Sequence, residues 1–237
     1  MVSLPSERII LARHVTPSGE IQLQQRPLAD GSLAFEIISD GVFLMASYNQ
    51  ASARALARHA LEAVQPSPGS KPVELRVLVG GLGMGFTAQE TLTPDVTSVD
   101  VVEISPYIIE WNRTHFAPLN GDVLADPRVK IIQDDLYTVL HASPTAAYHA
   151  ILLDVDNGPS WLAHPDNDRL YTREALERWS ERLMPGGAFG VWSAQPEPEF
   201  LKRMQTVFGQ AEEILVVAPD YSAEPVEYFL YQGLKKR

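Results

Sequence analysis

Residues 77–85 read VLVGGLGMG, a short apolar run followed by four glycines in six positions. The apolar run suits a strand buried on both faces. Glycines packed so densely suit a turn that something else must approach closely, with no side chains in the way. Where such a turn leads into a helix, the free N–H groups of the helix start face the same space. In open α/β sheets, ligands occupy the cleft outside the carboxyl ends of the strands. The stretch therefore raises two expectations: a parallel sheet, and a ligand lying across its tip.

The flanking sequence extends that reading. Downstream, VTSVDVVEI, RVKIIQ, YHAILLDV and AFGVWS read as strands. They alternate with the helical segments TAQETL, PYIIEWNRTHF, DLYTVLHA, TREALERWSERLM (closed by PGG) and EPEFLKRMQTVF. Pro106 falls in a first helical turn, where its missing N–H does no harm. This βαβα order with apolar strands predicts a parallel sheet covered on both faces. EEILVVAP and VEYFLYQGL follow each other with only a loop between, which predicts an antiparallel hairpin at the sheet edge. Upstream, RIILARHV, EIQLQQR, LAFEIIS and GVFLMAS are separated by turn sequences and predict a small antiparallel β layer over residues 1–46. Residues 48–64 have helical spacing, and QPSPGSKP then breaks the helix. Residues 47–237 form the second unit, with seven strands.

Composition narrows the function classes. The chain has 237 residues, is 45% hydrophobic and 21% charged, and contains no cysteine. Disulfides, thiolate metal sites and a cysteine nucleophile are thereby excluded. The six histidines are scattered without ligand spacing, so no metal is expected. A net charge of −11 argues against a nucleic-acid partner, since phosphate binding needs a basic face. No leader-like or membrane-spanning apolar run stands out, so a soluble cytoplasmic protein and no membrane partner are expected.

The strand tips then specify the ligand. The loop does not satisfy the dinucleotide fingerprint GxGxxG; it offers Gly81, Gly83 and Gly85 at alternate positions, the spacing used to seat S-adenosylmethionine. Glu103 ends the second strand, where a carboxylate can accept two hydrogen bonds from a ribose diol. Asp134 ends the third, where it can accept from an adenine amino group. Either Asp134 or Asp135 can instead cap the next helix. Asp154 ends the fourth strand and faces the reacting end of such a ligand, with Asp156 close behind. Each acid alone has a bland reading as a cap or surface residue; the ordered set points to a nucleoside pocket. Tyr48, Trp161 and Tyr171 are candidates to wall an acceptor pocket, and His164 is a candidate base if its loop covers the site.

Three stretches resemble the spermidine synthase family within the class I S-adenosylmethionine-dependent methyltransferase fold. They are VVEISPYIIEWNRTHF with LADPRVKIIQDD, then RLYTREALERWSERLMPGG, and the N-terminal layer with YNQASARALARHAL. The resemblance implies a Rossmann-like fold and a transferase using S-adenosylmethionine or its decarboxylated form. It implies a small-molecule acceptor such as an amine, and a homodimer formed through the N-terminal layer. It assigns Glu103 to the ribose, Asp134 to the adenine, the loop at 81–85 to the methionine-derived tail, and Asp154 to the first acid of a catalytic DxxD segment. The sequence also departs from the family. The loop aspartate falls at Gly83, the second acid of DxxD at Asn157, and the acid of a tyrosine-histidine-glutamate triplet at Gln50. A polyamine presents several ammonium groups, each needing an acceptor. These departures shift the expectation from aminopropyl transfer toward methyl transfer to a small molecule, with a non-catalytic nucleoside-binding relative as a third reading.

Overall fold

In the computed structural model, the described residues are 8–16, 19–28, 30–64, 74–142, 147–218 and 225–237. The helix-breaking QPSPGSKP segment lies outside them. Four strands open the chain: β1 (Ile9–Thr16), β2 (Gly19–Pro27), β3 (Leu33–Ser39) and β4 (Val42–Ala46). They pair in sequence order as an antiparallel sheet. Helix α1 (Ala51–Ala63) follows. It starts three residues later than its spacing suggested, because Tyr48 lies in the turn after β4 with its side chain drawn to the β layer. The Tyr48 hydroxyl bonds Glu36 at 3.2 Å, and Arg26 lies over its ring.

The second sheet has seven strands in the order β10-β11-β9-β8-β5-β6-β7. Its parallel part is β5 (Leu75–Gly80), β6 (Val96–Val102), β7 (Val129–Ile132), β8 (Tyr148–Leu153) and β9 (Leu183–Ser193). Strand β11 (Val226–Leu234) runs antiparallel between β9 and the edge strand β10 (Gln210–Ala218). Strand residues alternate between two cores, as a two-residue side-chain period requires. Val77, Val79, Val99, Val101 and Leu152 face one core with α1 and the N-terminal sheet. Leu78, Val102, Ile151, Leu153 and Phe189 face the other. There they meet α5 (Leu136–His141), α6 (Arg173–Arg182) and α7 (Pro198–Phe208).

Two further helices depart from the sequence reading. The segment after β6 is not one helix. Regular helix α3 (Pro106–Trp111) widens into a π-turn over Asn112–Phe116 before α4 (Ala117–Asn120). Helix α6 ends at Arg182 rather than at PGG. Pro185 disfavours helical geometry at Met184, and Leu183 is already extended and paired with Tyr148. The PGG residues lie inside β9.

Candidate nucleoside and acceptor site

The carboxyl ends of β5, β6, β7 and β8 open into one cavity of about 770 Å³. Of the sequence candidates, Gly81, Gly83, Glu103, Asp134, Asp135, Asp154, Asp156, Asn157, Trp161 and His164 line it. The tips of four consecutive strands thus converge on one space.

The glycine loop is shaped by protein neighbours. Gly81 has φ +89°, and a Cβ there would stand 2.2 Å from the Asp154 carbonyl oxygen. Gly83 has φ +50°, and its Cβ would stand 2.7 Å from the Met45 sulfur. The close approach expected of a ligand is thus made at these points by the β8 tip and by β4. Behind the loop, the Asn112 amide donates to the Gly83 carbonyl at 2.7 Å and the Asn120 amide to the Met84 carbonyl at 3.0 Å. Asn112 sits at the start of the π-turn, a distortion often found beside functional sites. Gly85 caps helix α2 (Phe86–Glu90) and does not line the cavity.

Glu103 is buried and ties two segments together. Its oxygens accept the Leu82 N–H at 3.0 Å and the Ser105 N–H at 2.7 Å. Burial raises its pKa, and those N–H donors oppose the rise. The Gly83 and Ile104 N–H groups also face the carboxylate, which lines the cavity beside the glycine loop. The choice between the two aspartates after β7 is settled by geometry. Asp135 caps α5 by accepting the Tyr137 N–H at 2.8 Å, and its other oxygen meets Arg169 at 2.5 Å. Asp134 is exposed and accepts only the adjacent Asp135 N–H, at 2.7 Å, among the described hydrogen bonds. It is therefore the less engaged of the two carboxylates at the cavity wall. This pattern of acceptors at successive strand tips fits a nucleoside.

Asp154 and Asp156 differ in how their oxygens are engaged. Asp154 accepts the Thr87 hydroxyl at 2.6 Å. Burial is the main cause that lifts its pKa above 3.8. Asp156 accepts the Ala163 N–H at 2.8 Å, the Asn167 amide at 2.9 Å and the Tyr171 hydroxyl at 2.8 Å. It staples the segment that passes over the cavity, and Tyr171 is turned into that staple rather than lining the cavity. Tyr48 and Gln50 also lie off the cavity wall. The Gln50 side chain accepts from Arg54 at 3.0 Å, and Arg54 goes on to Glu90. Lining residues that sequence reasoning did not single out include Ile21, Ile37, Phe43, Met45, Trp192 and Tyr228. No local motif marks them, because they arrive from the N-terminal sheet and from the strands β9 and β11. Among the described residues, no group of three or more His, Asp or Glu is placed to hold a metal ion.

Residues 61–236 match the family described as the spermine/spermidine synthase domain. The chain belongs to this family. A polyamine aminopropyltransferase from Corynebacterium efficiens is 33% identical over 151 residues, covering 61% of this chain and 28% of the relative. A putrescine N-methyltransferase from Nicotiana tabacum is 32% identical over 122 residues, covering 50% of this chain and 30% of the relative. These alignments therefore span under a third of each relative's length. A spermidine synthase solved in complex with the transition state analogue AdoDATO superposes with a TM-score of 0.76 at 18% identity. That superposition covers 95% of this chain and 73% of the other, and supports the spermidine synthase fold. The family thus includes relatives named for aminopropyl transfer and for methyl transfer. No helix among the described residues is long and apolar enough to cross a membrane.

Proposed function

We propose that this chain transfers a methyl group from S-adenosylmethionine to the nitrogen of a small amine. The observation that carries the choice of donor is the contact between Gly83 and Met45. The loop position where the family places an aspartate has no side chain, and the Met45 sulfur would stand 2.7 Å from a Cβ there. Decarboxylated S-adenosylmethionine ends in a lone ammonium, which favours a carboxylate partner. S-adenosylmethionine ends in an ammonium and a carboxylate together and has no such need for a fixed negative charge. Asn49 and Ser52, beside the start of α1, offer neutral donors to the same cavity.

Glu103 would hold the ribose diol and Asp134 the adenine amino group. When bound, the sulfonium supplies an activated methyl carbon: the amine lone pair bonds to it while the carbon–sulfur pair goes to sulfur, leaving a neutral thioether. The protein mainly positions the amine in line. Asp154 would accept the proton that the incoming ammonium must lose before its lone pair is free to attack. Its raised pKa makes it a better base than an exposed aspartate. The Thr87 hydroxyl orients the carboxylate from the side of α2.

Aminopropyl transfer is the second reading, favoured by the identity to the Corynebacterium relative. Calorimetry with the two donors separates them. Preference for S-adenosylmethionine is expected; clear preference for the decarboxylated form overturns methyl transfer, and no binding of either overturns the transferase reading.

A further inference from the structure

The carboxylates around the cavity differ in what already holds them. Glu103 accepts the Leu82 and Ser105 N–H groups. Asp134 accepts its neighbour's N–H, and Asp135 holds Tyr137 and Arg169. Asp154 accepts the Thr87 hydroxyl, and Asp156 is engaged by three protein donors. Asp166, on the covering segment, also lines the cavity and is exposed. Its carboxylate alone has no hydrogen bond or ion pair among the described residues.

The backbone on either side fixes where Asp166 stands. The Ala163 N–H and the Asn167 amide donate to the same Asp156 oxygen, at 2.8 and 2.9 Å. The Asn167 N–H also donates to the His164 carbonyl at 2.9 Å. Residues 163–167 therefore form a closed loop standing on Asp156, with Asp166 beside one of its pins. Asp156 and Asp154 share the β8 tip, so the loop holds Asp166 over the Asp154 end of the cavity.

The other polar groups of the wall leave that charge unmatched. Ser39, Asn49, Ser52 and Asn167 are neutral. The Arg169 guanidinium is taken by Asp135 at 2.5 Å and lies over the Tyr137 ring, 4.2 Å from its centroid. His164 shares the loop and favours the ionised form of Asp156. A carboxylate left exposed at a cavity wall is a ready partner for a ligand cation.

Resting on the transfer reading above, we infer that Asp166 is a specificity-determining residue: it pairs with a second, non-reacting ammonium of the acceptor while the reacting nitrogen lies at Asp154. The covering segment, and not the sheet, then reads the far end of the amine.

The test uses the full chain with S-adenosylhomocysteine bound. It is titrated with 1,4-diaminobutane and 1,5-diaminopentane, and with 1-aminobutane and 1-aminopentane, which lack the second nitrogen. In wild type the better diamine should bind about fivefold tighter than the monoamine of its length. Asp166→Asn should abolish that advantage and leave monoamine affinity unchanged, and Asp166→Lys should turn it into a preference for the monoamine. Asp168→Asn is the control. Asp168 is exposed on the same segment but does not line the cavity, so its loss should leave the wild-type ratio. A wild type that binds no amine or favours the monoamines, a diamine advantage that survives Asp166→Asn, or an equal loss in Asp168→Asn overturns the inference. The S-adenosylhomocysteine isotherm is recorded first. Its absence sinks the transfer reading and this one together; its presence with any of those outcomes sinks only the role of Asp166.

Discussion

Replacing Gly83 by aspartate would put a carboxylate where the donor's tail is expected to end. Two terms oppose the substitution. The residue sits at φ +50°, where a side chain costs about 1–2 kcal/mol, with aspartate among the better tolerated. The new Cβ would also meet the Met45 sulfur at 2.7 Å. That sulfur is near the end of a flexible side chain, so it can move, but it then crowds the space the carboxylate needs. Pairing Gly83→Asp with Met45→Ala removes the obstruction. A charge-assisted contact between the new carboxylate and a tail ammonium is worth about 1.5–3 kcal/mol. That corresponds to roughly 10- to 150-fold in affinity. Decarboxylated S-adenosylmethionine should gain this factor. S-adenosylmethionine, whose own carboxylate would be repelled, should gain little or lose. Calorimetry on the wild type, the single variant and the pair gives the ratio, with a thermal melt to confirm folding. A folded double variant with the wild-type ratio of affinities would refute the placement of the donor tail beside residue 83.

Asp154→Asn should lower turnover by about 10²–10⁴-fold while leaving nucleoside affinity unchanged, read by steady-state rates beside calorimetry. The same variant should melt higher than wild type at neutral pH. An acid whose folded pKa is raised above 3.8 stabilises the fold at low pH, and that stability is lost as pH rises from 3.8 through the folded value. The gap in melting temperature should therefore open across that window and then level off, whereas the wild-type rate should fall as pH drops through it. Asp156→Ala removes the acceptor of three hydrogen bonds. It should cost about 2–4 kcal/mol in denaturant unfolding and raise the acceptor KM. Leu33, Val42 and Phe43 are 39%, 42% and 41% exposed on the N-terminal sheet. Burial of that surface in a homodimer predicts a doubled mass by light scattering, and a monomer at working concentration would reject it.

The sheet was legible because each of its strands carries an apolar run bounded by turn residues. LAFEIIS and VEYFLYQGL match β3 and β11 residue for residue. Glu103, Asp134 and Asp154 were legible for a related reason: a charged residue ending an apolar strand has little to do except face the tip. Distance along the chain hid the rest. Asp156 reads like a second catalytic acid, and only the return of Asn167 and Tyr171 to its carboxylate shows it holding the covering segment. The role of Met45 depends on β4 crossing beside the glycine loop, which no local pattern encodes. Tyr48 and Gln50 were aligned with a family motif, but Glu36 and Arg54 draw their side chains elsewhere.

The close approach of Gly81 to the Asp154 carbonyl ties the glycine loop to the β8 tip, which on the proposed reading are the donor loop and the proton acceptor. Neither can drift without the other, so the geometry of the bond-making step is insulated from changes nearby. Novelty in what the enzyme modifies must then come from outside that pair, from the N-terminal strands and the covering segment. On the proposed reading, grafting the β3–β4 hairpin between members of the family with Met45 kept in place would exchange their choice of amine without changing the donor.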